Sequence, residues 1–175
     1  MNSLPTIRLM ETADFPSILA IQALCYTELV PESEQSLRAK LHASPTTCHV
    51  ACMREDVIGY LIAVPWSFEN PPLLNAATCD LPAQPDSLYL HDMAIAPAAR
   101  KVGAGGKLVE RFIAQIAELN FNCASLVAVQ DSKVYWQRYG FQPVPQTATL
   151  KAKLASYGAN VEYMRRLSRG AHHSI

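Results

Sequence analysis

The sequence predicts one α/β domain, with a mixed sheet of α+β type flanked by helices. Three observations predict it. The chain has 175 residues, the length of one ordinary domain. Half of its residues are hydrophobic and 17% are charged, enough apolar material for a sizeable core and too little charge for a disordered chain. Short apolar runs alternate with helix-period segments and hairpin pairs, the pattern of a sheet containing both hairpins and crossover helices. Residues 1–170 are expected to form the domain, and 171–175 a flexible tail.

The elements follow in order. Thr6 to Met10 alternates as a first strand. Asp14 is placed to cap a helix with Pro16 in its first turn, and Phe15, Ile18, Leu19, Ile21, Ala23 and Leu24 roughly follow the helical period. After the break at Pro31, a second helix is expected over Glu34–Ala43, with Leu37 and Leu41 at i, i+4. His49–Met53 and Val57–Trp66 read as a hairpin turning at Glu55-Asp56. Ser67 to Asp86 holds four prolines and cannot be a continuous helix or central strand; a loop this long is often functional. Ser87–Ile95 is a strand, Pro97–Lys101 a turn, and Gly105–Leu119 an amphipathic helix. Ala124–Val129 is a strand, and Ser132–Tyr139 a short helix with Gly140 as a left-handed cap. Phe141–Leu150 and Val161–Leu167 read as extended.

Composition excludes several classes. Fifteen basic residues balance fifteen acidic ones, so a duplex-coating nucleic-acid binder is disfavoured. The longest apolar run, about Val57–Trp66, is too short to cross a bilayer, and the first residues lack the apolar stretch of a signal peptide. Five cysteines (25, 48, 52, 79 and 123) at irregular spacing fit reduced thiols in a cytoplasm better than a disulfide framework. No metal is expected, because Cys48-His49-x-x-Cys52 lacks a fourth nearby ligand. Charge is divided unevenly: residues 1–90 carry four Lys/Arg against ten Asp/Glu, and residues 91–175 eleven against five. That asymmetry is compatible with chance and solvated helix faces, or with one end attracting an anion and the other a cation.

The most informative segment runs from Leu88 to Lys107, where an apolar strand enters a basic, glycine-rich turn that opens a helix. The first N–H groups of a helix have no internal partner, so such a turn is suited to a phosphate. A P-loop fails, because Gly106-Lys107 is followed by Leu108 and Lys101 stands where its first glycine belongs. A dinucleotide fingerprint fails too, because Leu108 occupies its third glycine position. Arg100-x-x-Gly103-x-Gly105 satisfies R/Q-x-x-G-x-G/A in full.

With these residues the sequence resembles the GNAT superfamily of acyl-CoA-dependent N-acyltransferases. The block LHDMAIAPAARKVGAGGKLV is similar to the family's acetyl-CoA pyrophosphate motif, and YWQRYGFQPV to its later signature. IRLMETADF resembles its first strand and helix start, and GYLIAVPW its central strand pair. PESEQSLRAKL and LHDMAI are further similar to the aralkylamine (serotonin-type) acetyltransferases and their bacterial relatives. The resemblance implies that Leu88–Ile95 and Ser125–Val129 are parallel strands splayed at one end, with the pantetheine arm of acetyl-CoA paired to Met93, Ala94 and Ile95. The pyrophosphate would lie on the amides of Lys101, Val102, Gly103, Ala104, Gly105, Gly106 and Lys107, beside Arg100.

Acetyl transfer needs a deprotonated amine and a stabilised leaving thiolate. His91, on the strand beside the implied thioester, is the best candidate base, since imidazole accepts a proton near neutral pH. The resemblance gives a His at this place the same role. Asp92 is expected on the opposite face, unless a bulge intervenes. The family's general acid is a Tyr four residues before the Gly of G-F, and here Trp136 holds that position. Three accounts stay open: Trp136 stabilises the sulfur by hydrogen bonding alone, Tyr135 or another nearby Tyr substitutes, or catalysis has been lost. For the acceptor, Glu28, Glu32, Glu34 and Glu69 are candidate cation contacts, and Tyr26, Trp66, Phe68 and Tyr89 offer aromatic surface. A small aralkyl- or alkylamine is the first expectation for the acceptor. A protein N-terminus or lysine is the alternative, and a non-catalytic CoA-binding sensor the alternative from another class. A monomer or homodimer is expected, without nucleic-acid or membrane partners.

Overall fold

The computed structural model describes residues 3–27 and 30–169. Seven strands form one sheet: β1 (Thr6–Leu9), β2 (Cys48–Met53), β3 (Asp56–Trp66), β4 (Ser87–Ile95), β5 (Cys123–Ala128), β6 (Gln142–Pro143) and β7 (Glu162–Leu167). Their order is β1-β2-β3-β4-β5-β7-β6, antiparallel throughout except for the parallel pair β4 and β5. Five helices pack around it: α1 (Phe15–Cys25), α2 (Glu34–Ala43), α3 (Ala104–Glu118), α4 (Lys133–Gln137) and α5 (Ala148–Leu154). The mixed α/β class read from the sequence is the one observed. All five cysteines are free, and among the described residues no helix is long and apolar enough to cross a membrane.

Both faces of the sheet centre are covered, so Tyr60 to Val64 on β3 are wholly buried. On one face α3 places Leu108, Val109, Phe112 and Ile116, spaced at the helical period, against Leu61, Leu88, Leu90 and Leu126. On the other, α1 and α2 place Phe15, Ile18, Ile21, Leu37 and Leu41 against Val50, Tyr60 and Ile62. Each such side chain contributes roughly 1.5–3 kcal/mol by leaving water.

Three local expectations are corrected. The Asp14 carboxylate does not cap α1; it accepts from the Glu11 N–H (2.8 Å) and from both terminal nitrogens of Arg8 (2.8 and 2.7 Å), a stronger charged partner. The hairpin turns at Arg54-Glu55, one residue early, with Arg54 left-handed at φ 56°. Phe141–Leu150 is extended only at Gln142–Pro143, after which the Thr147 hydroxyl accepts from the Leu150 N–H (3.2 Å) and starts α5. That helix buries Leu150 and Leu154, at i, i+4, with Tyr89 and Tyr163. Gly140 adopts the left-handed conformation expected of it, at φ 83°.

Two irregularities of β4 shape the site. It pairs with β5 only from Ser87↔Cys123 to Leu90↔Leu126, after which β4 stays with β3 and β5 with β7. The sheet therefore forks. Just there, Ile62 opposes Asp92 while Ala63 opposes Leu90, so His91 is an extra, bulged residue. The bulge switches strand parity. Leu88 and Leu90 pack on the α3 side, and beyond the bulge so do Met93 and Ile95, while Ala94 joins α1 and α2. Asp92 is thereby turned toward Tyr26 and Tyr60 on the α1 side, not away from His91's neighbourhood.

Candidate active site

The fork opens into a cavity of about 880 Å³, walled by the end of β4, the glycine turn, the end of β5, α4 and the segment after α1. Backbone pairing aims one edge of β4 into this gap. Ala96 N–H bonds Ile58 on the β3 side, whereas the carbonyls of Met93 and Ile95 accept from the Tyr26 hydroxyl (3.1 Å) and the Cys25 thiol (3.2 Å). Strand edges without a neighbouring strand need such partners.

At the other side of the gap, Gly103 caps α3 at φ +83°, and a Cβ there would meet no atom within 4 Å. The first N–H groups of α3 are thus approachable, at the positive end of the helix dipole. Arg100 reaches across, its Nη2 3.7 Å from the Cys25 sulfur. Tyr135 and Tyr139 lie over the same turn: their hydroxyls are 3.2 and 3.5 Å from where a Cβ would stand on Gly105 and Gly106. Burial, with Tyr139 adding to it, pushes the Tyr135 hydroxyl above its ordinary range. Trp136 is 7% exposed, edge-on to Tyr135 and Phe141, and its indole N–H has no hydrogen-bond partner among the described residues.

The polar heart of the cavity is a buried network. His91 Nε2 bonds Glu32 Oε1, and Glu32 Oε2 takes the Ser36 hydroxyl (2.8 Å) and the Lys40 ammonium (3.3 Å). Lys40 is 2% exposed and also donates to Ser36 Oγ at 2.9 Å. Burial pushes the Glu32 carboxyl up, but its hydrogen bond to His91, with Lys40 and Ser36, outweighs this and brings it to about 2. Asp92 accepts from the hydroxyls of Tyr26 (2.6 Å) and Tyr60 (2.7 Å), yet burial dominates and raises its carboxyl.

Of the residues singled out from sequence, Tyr26, Glu32, His91, Met93, Ala94, Ile95, Arg100, Gly103, Gly105, Gly106, Tyr135 and Trp136 line this one cavity. Lys101, Val102, Ala104 and Lys107 contribute no lining: Lys101 and Val102 face outward, Ala104 is in the core, and Lys107 donates to the Pro5 carbonyl at 2.8 Å. Trp66 and Tyr89 do not line it either. The Trp66 N–H is bonded to the Asn70 carbonyl (2.7 Å), and Tyr89 is buried with its hydroxyl 2.9 Å from that of Tyr157. Both serve the apolar cluster around α5 instead. Glu28 lies outside the described residues. Glu32 is engaged by His91 and Lys40, and Glu34 by Arg38 at 2.5 Å. Tyr139, one of the tyrosines near Trp136, also lines the cavity, as do Arg138 and Tyr157, which were missed. Tyr139 falls at helical spacing with Ser132, Tyr135 and Trp136, whereas Tyr157 follows α5, most of which lies beyond the segment read as extended.

A profile of the acetyltransferase (GNAT) family matches residues 15–141. The chain belongs to the GNAT acetyltransferase family. No curated protein sequence matches it. Among solved structures it is similar to Ard1 from Thermoplasma volcanium, with a TM-score of 0.71 at 17% identity over 94% of this chain and 98% of that one. The ribosomal-protein-S18-alanine N-acetyltransferase from Escherichia coli gives 0.67 at 15% identity, over 98% and 99% of the two chains. The loading GNATL domain of CurA from Lyngbya majuscula gives 0.77 at 10%, over 94% and 98%. At these identities the likeness concerns the fold. The co-substrate of this GNAT acetyltransferase is acetyl-CoA, and the residues fit it. The open amides at Gly103 suit a pyrophosphate, Arg100 adds positive charge, and the edge of β4 that lacks a neighbouring strand suits an amide-bearing arm. Among the described residues no group of three His, Cys, Asp or Glu could hold a metal ion.

Proposed function

We propose that this GNAT acetyltransferase acetylates a small primary amine, by direct attack of the amine within a ternary complex. The observation that carries the proposal is a clasp over the acceptor end of the cavity. The Tyr157 hydroxyl, behind α5, donates to the Pro72 carbonyl of the proline-rich loop at 2.6 Å, and Tyr157 itself lines the cavity with Leu74. A second tie, from the Tyr163 hydroxyl to the Phe68 carbonyl at 2.5 Å, fixes the loop's start. These contacts favour a short acceptor over an extended polypeptide. The motif resemblance to the aralkylamine enzymes points the same way.

In this mechanism acetyl-CoA supplies an acyl carbon activated by its thioester. Arg100 and the Gly103–Gly106 amides bind the phosphates, and the edge of Met93–Ile95 orients the arm. The proton of the attacking amine goes to His91, directly or through a water; the N–C bond forms as the C–S bond breaks. Trp136 offers its free N–H as a hydrogen bond to the departing sulfur, whose proton then comes from solvent, because an indole cannot supply one as a phenol does. Tyr135, over the first turn of α3, is the alternative donor. Thiol release from acetyl-CoA over a panel of small amines and short peptides with free N-termini tests the proposal. Turnover with small amines is expected. Turnover with peptides alone would favour a protein N-terminal acceptor, which the structural likeness to Ard1 and to the S18-alanine enzyme keeps as the second reading. No release with any amine would indicate a chain that binds CoA without turnover.

A further inference from the structure

We propose that Glu32 is a positioning residue that holds His91 as its Nε2–H tautomer, leaving the Nδ1 lone pair free to accept a proton. The proposal rests on the reading of His91 as the base. Nothing in sequence spacing joins these residues, which lie 59 apart; the bulge at His91 and the entry into α2 bring them together.

For a neutral ring the geometry allows one assignment. The carboxylate of Glu32 can only accept, so the nitrogen facing it, Nε2, carries the proton. In the neutral ring Nδ1 then carries no proton, and it is buried with no hydrogen-bond partner among the described residues, on a fully buried side chain whose residue borders the cavity. A buried, unpartnered acceptor is costly unless a ligand or water meets it. Glu32 is itself held on three sides. Oε2 accepts from Ser36 Oγ, Lys40 Nζ and the Asn75 N–H (3.3 Å), so α2 and the proline-rich loop fix its rotamer. Its backbone is held by Gln22 of α1, whose amide, oriented to satisfy both groups, accepts from the Glu32 N–H (3.1 Å) and donates to its carbonyl (3.3 Å). The Lys40 charge balances that of Glu32, so the pair adds no net charge beside the ring. The other ionisable groups facing His91 are Asp92 and Tyr89 on β4, with Tyr26 and Tyr60 bonded to Asp92 and Tyr157 bonded to Tyr89. None of these bonds either ring nitrogen.

The donors around Oε2 make Glu32→Gln informative. A glutamine must turn its carbonyl oxygen toward Ser36, Lys40 and Asn75, which places its NH₂ against Nε2. Nε2 must then accept, and the ring proton moves to Nδ1, converting the base into a donor. The experiment is ¹⁵N–¹H correlation of histidine-labelled protein at pH 8.5, with His91 signals identified by their loss in His91→Gln. The wild-type protein is expected to carry the proton on Nε2, and Glu32→Gln on Nδ1. In Glu32→Gln, kcat/KM should fall by on the order of 10²-fold while acetyl-CoA affinity is unchanged. A proton on Nδ1 in the wild type, alone or with one on Nε2, overturns the proposal even if the variant does not fold. So does Nε2–H retained in Glu32→Gln. A switched tautomer with wild-type kcat/KM would uphold the positioning and instead refute His91 as the base.

Discussion

Gly103 separates the demands of the fold from those of the anion site. Its φ of +83° is left-handed, and a Cβ there meets nothing within 4 Å. Gly103→Ala therefore adds no clash and costs only the strain of a left-handed L-residue, about 1–2 kcal/mol of stability. Gly103→Glu carries the same backbone strain but places a carboxylate at the N-terminus of α3. In the unliganded protein that charge is favourable to the helix dipole by about 0.3–1 kcal/mol. Toward acetyl-CoA it competes for the amides and repels the phosphates. Gly103→Glu should thus be as stable as Gly103→Ala, or slightly more so, yet bind acetyl-CoA more than tenfold more weakly, a loss above about 1.4 kcal/mol. Calorimetric titration at two salt concentrations, with denaturant unfolding of each variant, reads both quantities. Wild-type, salt-sensitive affinity in a folded Gly103→Glu would refute the placement of the phosphates on this turn.

Two other outcomes follow from the same geometry. Trp136→Phe keeps the edge-on aromatic contacts but removes the free N–H, and under saturating acetyl-CoA the barrier to turnover should rise by about 1–3 kcal/mol, while Tyr135→Phe changes little. Collapse in Tyr135→Phe with Trp136→Phe near wild type would transfer the sulfur-facing role to Tyr135. His49 is buried, and burial with the nearby Arg111 charge lowers it from 6.5 to about 4. The unfolded chain therefore binds a proton that the folded one refuses between those values, so this stability is complete above about pH 6.5 and lost as pH falls toward 4. The loss is about 2 kcal/mol by pH 5. Denaturant midpoints at pH 7.5 and 5 should differ less in His49→Leu than in the wild type; equal differences would contradict the assignment.

Where a local signal was strong, the sequence was legible. The break at Pro31 and the Leu37–Leu41 pair mark α2, and the apolar stripe of α3 behind Gly103 marks both a helix and an anion site. What escaped had no local signal or a competing one. The bulge at His91 arises from how β3 and β4 pair, and no residue type announces it. The Glu32–His91 contact joins the segment before α2 to a bulge of β4, two parts of the chain far apart in sequence. Trp66 and Tyr89, read as acceptor surface, went to the cluster that covers α5, where their apolar bodies gain more by burial than an open cleft provides. The α5 helix itself was readable, since Thr147 precedes Leu150 and Leu154 at helical spacing, but the flanking prolines and β-branched residues favoured a strand.

The proposed base is the imidazole of His91, which takes the proton of the attacking amine inside the fork. That role is tested most directly by the pH profile of kcat/KM for one small primary amine, with saturating acetyl-CoA, in wild type and His91→Ala. A loss on the order of 10²-fold with the acid limb abolished, and acetyl-CoA affinity unchanged, is the predicted result. A wild-type profile in a folded His91→Ala would contradict it and leave the ring a structural part of the Glu32 network.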